Sequence, residues 1–317
     1  MNSRAPIKSD NILIVGTGAL ATLFAARLAK AGMGVTMLGR WPAGVQALRD
    51  TGARLVDASG HEERYAVAVA DDPAECRGCT YALVLVKSWQ TERAARDLAE
   101  CLAEHGLALT LQNGLGNRET LASRLGAERV LLGSTTTGAT LLGPGLVKPG
   151  GEGTVSIEAH ADLEPLCEAL RSAEFKIEIV RDASSLVWRK LVINSAINPL
   201  TALLRVSNGQ LLQRPSARAM MRALAKETAA VASAESVELA PRDAVRTVEN
   251  VALRTASNHS SMFQDVQRGA RTEIDAICGA VTRAGKRHHI ATPMNQACWQ
   301  LIQALTENPA ERSARLT

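Results

Sequence analysis

The chain has 317 residues, enough for two domains of ordinary size. Hydrophobic residues make up 46% and charged residues 21%, which predicts a globular protein with a substantial core. The net charge is only +4, and the sequence has no basic blocks interleaved with aromatic residues, so nucleic acid is not an expected partner. No apolar run approaches the roughly 18 residues of a membrane span, so we expect no membrane association.

The cysteines and the N-terminus indicate a reducing compartment. Residues 1–10 are polar and lack the apolar core of a secretory signal, so we expect a short disordered extension there. Six scattered cysteines then favour reduced thiols and a cytoplasmic location. Cys76 and Cys79 form one C-x-x-C pair, but no second pair follows at a spacing suited to zinc. We therefore predict ordinary thiols and no metal site.

The first elements have the order of a dinucleotide-binding unit. A buried strand at Asn11–Val15 leads directly into Gly16-Thr17-Gly18-Ala19-Leu20-Ala21, then into a helix and a second strand at Val35–Leu38. In this motif Gly16 permits a tight turn and Gly18 lets the backbone approach a pyrophosphate, while Ala21 stands where a third glycine often allows close packing. The N–H groups at the start of the helix can bind the phosphates. The pattern predicts a Rossmann-type domain.

The ends of the predicted strands carry candidate ligand-binding side chains. The second strand ends in Gly39-Arg40, where NAD-preferring sites usually have an acidic residue for the ribose 2′-hydroxyl. The planar guanidinium of Arg40 suits the 2′-phosphate of NADP instead. Strands predicted at Tyr81–Val86 and Leu107–Leu111 are followed by Lys87 and Asn113. Because open parallel sheets bind ligands at the carboxyl ends of their strands, both side chains are expected to reach a cofactor or substrate.

Further β segments are predicted up to residue 181, and only helices after it. Arg54–Asp57 and Tyr65–Val69 are expected to pair across a Ser59-Gly60 turn. Further strands are predicted at Val130–Leu132, in the region Thr135–Thr137, at Gly153–Glu158 and at Phe175–Val180, with a helix over Asp162–Ala173. We expect a Rossmann-type domain over residues 1–181 and an all-helical domain over 182–317. The predicted helices of the second domain are Ser184–Asn198, Ala217–Ser236, Pro241–Ser257, Met262–His288 and Pro293–Glu307.

The first helix of the second domain carries a polar stripe. Lys190, Asn194 and Asn198 stand at i, i+4 and i+8, and apolar residues cover nearly every other direction, as is typical of a buried helix. Two interpretations stay open: the stripe is the solvated face of the helix, or it faces a polar cavity that holds a substrate. Farther on, Asp265 and Glu273 are predicted to lie two turns apart on one face of the helix Met262–His288, where Glu273 could also be the solvated partner of an arginine.

Together these blocks resemble the ketopantoate reductase (2-dehydropantoate 2-reductase) family over essentially the whole chain. The resemblance rests on G-T-G-A-L-A at 16–21, Arg40, V-K-S-W-Q at 86–90, Q-N-G at 112–114, W-R-K-L-V-I-N-S-A-I-N-P-L-T-A at 188–202, N-H-S-S-M-F-Q-D at 258–265 and R-T-E-I-D at 271–275. It implies NADPH-dependent reduction of ketopantoate to pantoate, in the biosynthesis of pantothenate and coenzyme A.

The resemblance also implies roles for individual residues. Lys190 is the implied catalytic acid, with Glu273 as the second catalytic residue. The substrate-binding residues that we predict are Asn194, Asn198, Asn258, Ser261 and Asn113. The NADP-binding residues that we predict are Gly16, Thr17, Gly18, Ala19, Leu20, Ala21, Arg40, Lys87, Asn113 and Glu273. A 2-keto acid accepts a hydride at C2 and a proton at oxygen, and a positioned lysine can donate that proton.

Three other functions are compatible with parts of this pattern. A reductase of another small 2-keto acid would use the same residues, and a β-hydroxyacid dehydrogenase has a related Lys-x-x-x-Asn helix. A non-catalytic NADP sensor would need the glycine motif and Arg40, but not Lys190, Ser261 and Glu273 together. The expected partner is a small 2-keto acid, and the sequence is compatible with a homodimer.

Overall fold

The computed structural model describes residues 11–237, 239 and 241–307, and it divides into two compact units. The first unit comprises the chain up to Gln112 together with Asn117–Ala183. The second comprises Asn113–Gly116 and the chain from Ser184 onward. Each unit has its own core of buried apolar side chains. The extension predicted for residues 1–10 lies outside the described residues.

The first unit is built on a large β-sheet. Its strands are β1 (Ile12–Val15), β2 (Val35–Leu38), β3 (Ala53–Val56), β4 (Glu62–Tyr65), β5 (Ala68–Ala70), β6 (Cys79–Val84), β7 (Leu102–Thr110), β8 (Val130–Thr135), β9 (Ala139–Gly143), β10 (Leu146–Pro149), β11 (Thr154–Glu158) and β12 (Lys176–Val180). Eight of them form one sheet in the order β12-β11-β8-β7-β6-β1-β2-β5, and the other four form a sheet in the order β4-β3-β10-β9. Its helices are α1 (Ala19–Lys30), α2 (Pro42–Thr51), α3 (Thr91–Cys101), α4 (Asn117–Leu125) and α5 (Glu164–Ser172).

The strand order creates a topological switch point beside β1. The strands from β5 through β2, β1, β6 and β7 to β8 are mutually parallel. The chain runs from β1 outward to β2 and β5, then returns to β6 on the other side of β1. Ligands of such sheets bind at the carboxyl ends of the strands that flank the switch point. Here those ends lead into the glycine-rich turn and toward Lys87, and the predicted Rossmann-type architecture is confirmed.

One predicted strand pairing was wrong. The strand β3 pairs antiparallel with Glu62–Tyr65, and not with a strand over Tyr65–Val69. That run is divided, because Tyr65 ends β4 whereas Ala68–Ala70 adds to the edge of the large sheet beside β2. The continuous apolar run from Tyr65 to Val69 is typical of one strand, but the main-chain hydrogen bonds go to two different sheets.

The second unit is helical over its described residues, as predicted. Its helices are α6 (Ala183–Leu204), α7 (Gln210–Gln213), α8 (Pro215–Ala234), α9 (Pro241–Arg254), α10 (Ser261–Gln267), α11 (Cys278–Arg287) and α12 (Pro293–Thr306). In the part of the chain that the structure describes, no helix combines the length and the apolar character that crossing a bilayer requires.

The single helix predicted over Met262–His288 was wrong, because the segment forms two helices. The first ends in a Schellman motif, in which Gly269 has a φ of +63°. The N–H of Gly269 donates to the carbonyl of Val266 (3.1 Å), and the N–H of Ala270 donates to that of Asp265 (2.9 Å). An irregular segment then precedes α11, so Asp265 and Glu273 do not share a helix face.

The helix α6 continues beyond its predicted end at Asn198, although Pro199 lies within it. Proline has no N–H, so the carbonyl of Ser195 lacks the donor that a regular helix supplies. The thiol of Cys278 donates to this carbonyl, with a sulfur–oxygen distance of 3.8 Å. A side chain from α11 thus provides the hydrogen bond that proline removes, and the helix stays continuous.

Candidate active site

The glycine-rich turn lies between the ends of β2 and β6. The N–H of Gly16 donates to the carbonyl of Leu38 (2.8 Å), and the N–H of Leu85 donates to that of Val15 (2.9 Å). Gly16 has a φ of +133°, and a Cβ at this position would come within 3.2 Å of the Leu85 backbone. Only glycine combines this backbone conformation with so close an approach.

The start of α1 is suited to binding an anion. Gly18 precedes the helix, and its first turn, Ala19 to Thr22, carries no acidic residue. A Cβ at Gly18 would meet no described atom within 4 Å, so the space beside this residue is open. The free N–H groups and the positive end of the helix dipole attract phosphate. Ala21 is fully buried, as close packing of this helix requires.

Arg40 occupies the short link between β2 and α2. Gly39 before it packs against Thr17, because a Cβ at Gly39 would lie 2.5 Å from Cγ2 of that threonine. The side chain of Arg40 is 45% exposed, and its Nη2 lies 3.2 Å from Oδ1 of Asp97 on α3. Because a guanidinium has five N–H donors, Asp97 can hold one side of the group while the other donors bind an anion.

The loop that carries Lys87 is supported by Gln112, the last residue of the first unit before the segment Asn113–Gly116. The Nε2 of Gln112 donates to the carbonyl of Val86 (3.0 Å) and to Oγ1 of Thr91 (2.8 Å). The hydroxyl of Thr91 also lies 2.9 Å from Oδ1 of the buried Asn117. Sequence reasoning missed this network, although the position of Gln112 directly after a strand was an available signal.

A second group of predicted residues meets inside the helical unit. Glu273 is only 5% exposed, and its Oε2 accepts a hydrogen bond from Nδ2 of Asn113 (3.1 Å). The carboxylate also acts electrostatically on Lys190 of α6. We call Lys190, Glu273 and Asn113 the Lys190 cluster. Burial of Glu273 excludes the alternative in which it is a solvated partner of an arginine.

The segment Asn113–Gly116 reaches this cluster through a glycine. The N–H of Leu115 donates to the carbonyl of Ala276 (3.0 Å), which follows Glu273 closely in the chain. Gly114 has a φ of +83°, and a Cβ at this position would lie 2.3 Å from the same carbonyl oxygen. Glycine is therefore needed at position 114 if Asn113 is to meet Glu273.

Two opposing effects act on the pKa of Lys190. Desolvation by burial lowers the pKa and the negative charge of Glu273 raises it, and together they leave the pKa at about 8. An unperturbed lysine has a pKa near ~10.4 and is a poor proton donor at neutral pH. The effect of burial is the larger of the two, which makes the Lys190 ammonium a better general acid than a free lysine.

The polar stripe of α6 is partly buried. Asn198 is 7% exposed, whereas Lys190 and Asn194 are half-buried. The flanking apolar side chains are buried in the core of the unit; they include Leu191, Val192, Ala196 and Ile197. This placement agrees better with the second interpretation, in which the stripe serves a ligand, than with the first.

Asn258 and Ser261 lie at the exposed start of α10. The N-cap of this helix is Ser260, whose Oγ accepts from the N–H of Phe263 (3.1 Å) and lies 2.7 Å from Oγ1 of Thr201 on α6. This contact holds the start of α10 against Thr201, which follows Asn198 closely along α6. The described contacts join Asn113 and Glu273 directly. Asn258 and Ser261 lie at the start of α10, which the contact between Ser260 and Thr201 holds against α6.

Family models match nearly all of the described chain. Residues 12–162 match "Ketopantoate reductase PanE/ApbA", and residues 182–306 match the C-terminal part of the same family. The chain belongs to the ketopantoate reductase family. A 2-dehydropantoate 2-reductase of Halobacterium salinarum is 34% identical over 298 residues, which cover 92% of this chain and 97% of that protein. The resemblance predicted from the sequence motifs is thus confirmed.

Solved structures agree with this membership of the ketopantoate reductase family. A PanE/ApbA family ketopantoate reductase from Ralstonia eutropha has a TM-score of 0.86 and 32% identity, covering 93% of this chain and 98% of that chain. A D-mandelate dehydrogenase, solved with NADH and anilino(oxo)acetate, has a TM-score of 0.87 and 26% identity over the same shares.

Proposed function

We propose that this protein reduces 2-dehydropantoate (ketopantoate) to pantoate with NADPH, a step in the biosynthesis of pantothenate and coenzyme A. The Lys190 cluster carries the proposal, because it combines a lysine of lowered pKa with a buried carboxylate held by an amide. Membership of the ketopantoate reductase family and the similarity to a 2-dehydropantoate 2-reductase support the same reaction.

NADPH, when bound, supplies the hydride that C2 of the keto acid accepts. The open space at Gly18 and the donors available on Arg40 fit this cofactor. We assign the pyrophosphate to the turn Gly16–Ala21 at the start of α1, and the 2′-phosphate to Arg40. The other residues that we assign to the cofactor are Lys87, Asn113 and Glu273.

Lys190 supplies the proton of the reaction. It holds this proton on Nζ and donates it to the carbonyl oxygen as C2 accepts the hydride, so that a 2-hydroxy acid forms. Glu273 keeps the ammonium charged near neutral pH, and Asn113 fixes the Glu273 carboxylate by a hydrogen bond. The neutral donors that we assign to the carboxylate and hydroxyl of the substrate are Asn194, Asn198, Asn258, Ser261 and Asn113.

We further propose domain bounds and a location. An NADP-binding domain over residues 1–181 and a helical substrate domain over 182–317 follow from the sequence pattern, and the two structural units support this division. All six cysteines are free thiols, which supports a cytoplasmic location because oxidising compartments favour disulfides. A homodimer stays a prediction.

The direct test is the loss of NADPH absorbance when ketopantoate is added to the purified protein. We expect turnover on the order of 1–10³ s⁻¹, as for ordinary enzymes, with pantoate as the only organic acid formed. NADP-dependent oxidation of a β-hydroxy acid, with release of CO2 and with ketopantoate left unreduced, would indicate a β-hydroxyacid dehydrogenase. NADPH binding without consumption of any 2-keto acid would indicate a sensor.

A second candidate is the reduction of a different 2-keto acid. The similarity to D-mandelate dehydrogenase over nearly the whole chain favours it. Mandelate carries a phenyl ring where pantoate carries a dimethyl-substituted carbon with a terminal hydroxyl. Phenylglyoxylate, the keto acid that corresponds to mandelate, therefore separates the candidates: its efficient reduction, with ketopantoate left unreacted, would favour the second one.

Replacing Arg40 with glutamine should weaken NADPH binding while NADH binding stays nearly unchanged. A hydrogen bond to a charged group contributes about 1.5–3 kcal/mol, so we expect a roughly ten- to hundredfold loss of NADPH affinity. Tryptophan fluorescence can report the binding. Trp41, which is 40% exposed, directly follows Arg40 in the sequence, and Trp89, which is 42% exposed, follows Lys87 closely.

The matched control for this variant is Arg77→Gln. Arg77 is also an exposed arginine that pairs with a carboxylate of α3, with 3.1 Å between its Nη2 and Oε1 of Glu100. It is not among the predicted cofactor residues, so its replacement should leave NADPH affinity unchanged. Equal affinities of the unaltered protein for NADPH and NADH would contradict the role assigned to Arg40.

A further inference from the structure

Asp275 attaches the segment that carries Glu273 to two helices. Its Oδ1 accepts hydrogen bonds from Nε1 of Trp299 (2.8 Å) and Nε2 of Gln303 (2.9 Å), both on α12. Its main-chain carbonyl accepts a third from Nη2 of Arg283 on α11 (2.8 Å). None of these contacts belongs to the mechanism described above.

A hydrogen-bonded turn of the backbone connects Asp275 to Glu273 of the Lys190 cluster. The carbonyl of Glu273 accepts from the N–H groups of Ala276 and Ile277 (3.1 Å each), so Asp275 lies inside a tight turn closed on Glu273. Within this turn Glu273 is 5% exposed and the Asp275 side chain is 40% exposed. Because the turn joins the two residues, a shift of Asp275 would displace the buried Glu273 carboxylate.

We propose that Asp275 is a positioning residue, which holds Glu273 beside Lys190 by accepting hydrogen bonds from Trp299 and Gln303. The inference deepens the proposed function, and it rests on that function where it concerns turnover. It depends on one acceptor oxygen, Oδ1, and not on the charge of Asp275.

The surrounding charges support this emphasis on hydrogen bonding. Arg271 lies 3.8 Å from Oδ2 of Asp275 and is 61% exposed, and such exposed ion pairs contribute little. Arg283 contacts the main-chain carbonyl of Asp275 and not its carboxylate. The two hydrogen bonds to Oδ1 are thus the contacts that tie the side chain to α12.

Two substitutions separate the acceptor from the charge. Asp275→Ala removes both, whereas Asp275→Asn removes the charge and keeps an amide oxygen that can accept from Trp299 and Gln303. We expect Asp275→Ala to lower kcat by roughly 10- to 100-fold, because a displacement of about 1 Å at a catalytic group has effects of that size. Asp275→Asn should keep most of kcat, because it keeps the acceptor oxygen.

The ionisation of Lys190 gives a second readout that a purely structural role would not change. Because the Glu273 carboxylate raises the pKa of Lys190, its displacement should lower the pH at which Lys190 loses its proton. Acylation of Lys190 at a series of pH values, quantified by mass spectrometry, measures this without substrate. We expect a downward shift of roughly half a pH unit or more in Asp275→Ala, and almost none in Asp275→Asn.

These outcomes decide the proposal separately from the proposed function. A lowered kcat and a lowered titration in Asp275→Ala, both restored in Asp275→Asn, support it. An unshifted titration in Asp275→Ala overturns it, as do equal shifts in the two variants, which would show that charge alone matters.

Should Asp275→Ala fail to fold, Trp299→Phe combined with Gln303→Leu removes the same two donors and is judged by the same two readouts. A lack of turnover in the unaltered protein overturns the proposed function, but the acylation experiment still tests the positioning of Glu273.

Discussion

Replacing Lys190 with alanine should lower kcat for ketopantoate reduction by a factor on the order of 10²–10⁴, the usual contribution of a positioned general acid. Its ammonium is the proton donor that we assign to the carbonyl oxygen, and its pKa is lowered to about 8 by burial. NADPH affinity should change little, since Lys190 lies in the helical unit while the glycine-rich turn and Arg40 lie in the other. Steady-state kinetics and fluorescence titration measure the two effects separately.

The pH dependence of the unaltered enzyme should show the same group. Only protonated Lys190 can donate, so kcat/KM should fall as pH rises above about 8, where the lowered pKa of Lys190 lies. Well above that pH the decline should approach roughly tenfold per pH unit. Replacement of Glu273 with glutamine removes the charge that raises this pKa, so the decline should then begin at lower pH.

Two variants serve as controls for the Lys190 result. Lys190→Arg keeps a positive charge, but a guanidinium has a pKa far above neutral and is a poor acid, so we expect no recovery of kcat. Lys226→Ala removes an exposed lysine of α8 in the same unit and should leave kcat unchanged. Near-normal turnover in Lys190→Ala, or a rate independent of pH up to about 10, would show that another group donates the proton.

The parts of the fold that local sequence determines were predicted well. The strands β1 and β2, with Gly16 and Gly18 between them, form a contiguous unit whose turn chemistry and periodicity are both visible in the sequence. The polar stripe on α6 was also visible, because its spacing depends only on the helical repeat. In both cases neighbouring residues in the chain contain all the information.

The wrongly predicted helix shows how a local signal can be overridden by periodicity. Apolar residues recur at helical spacing from Met262 onward, and this pattern favoured one long helix. Gly269 was the contrary signal, because glycine commonly ends helices in the left-handed conformation that it adopts here. Giving that glycine more weight would have separated α10 from α11 and placed Glu273 in an irregular segment.

The supporting contacts of the site could not be predicted, because they join distant parts of the chain. Asn113 and Glu273 are 160 positions apart, and Arg40 and Asp97 are 57 apart. Nothing in the local pattern around either residue of a pair specifies its partner. The sequence indicated candidate side chains for the chemistry, whereas the contacts of Gln112 and Asp275 became visible only in the structure.

Ketoisovalerate should be reduced with a kcat/KM at least ~10²-fold below that of ketopantoate, because a site built to pair a hydroxyl rejects analogues that lack it. Ketoisovalerate differs from ketopantoate only by the missing hydroxymethyl group, so the two compounds are a matched pair. Without the hydroxyl, the polar groups that we assign to it would lose a hydrogen-bond partner, at a cost of about 1–3 kcal/mol for each group that the substrate buries. Initial rates of NADPH consumption over a range of each keto acid give the ratio directly.

Glu273→Gln then identifies what Glu273 contributes to this discrimination. In the structure its carboxylate accepts from Asn113 and its charge acts on Lys190, so we expect the variant to lower kcat for both keto acids by the same factor. A larger loss with ketopantoate would instead assign the substrate hydroxyl to Glu273. Asp243→Asn, which alters an exposed ion pair with Arg246, should change neither rate. Comparable kcat/KM values for the two keto acids in the unaltered enzyme would rule out specificity for ketopantoate, and the protein would then be a reductase of 2-keto acids in general.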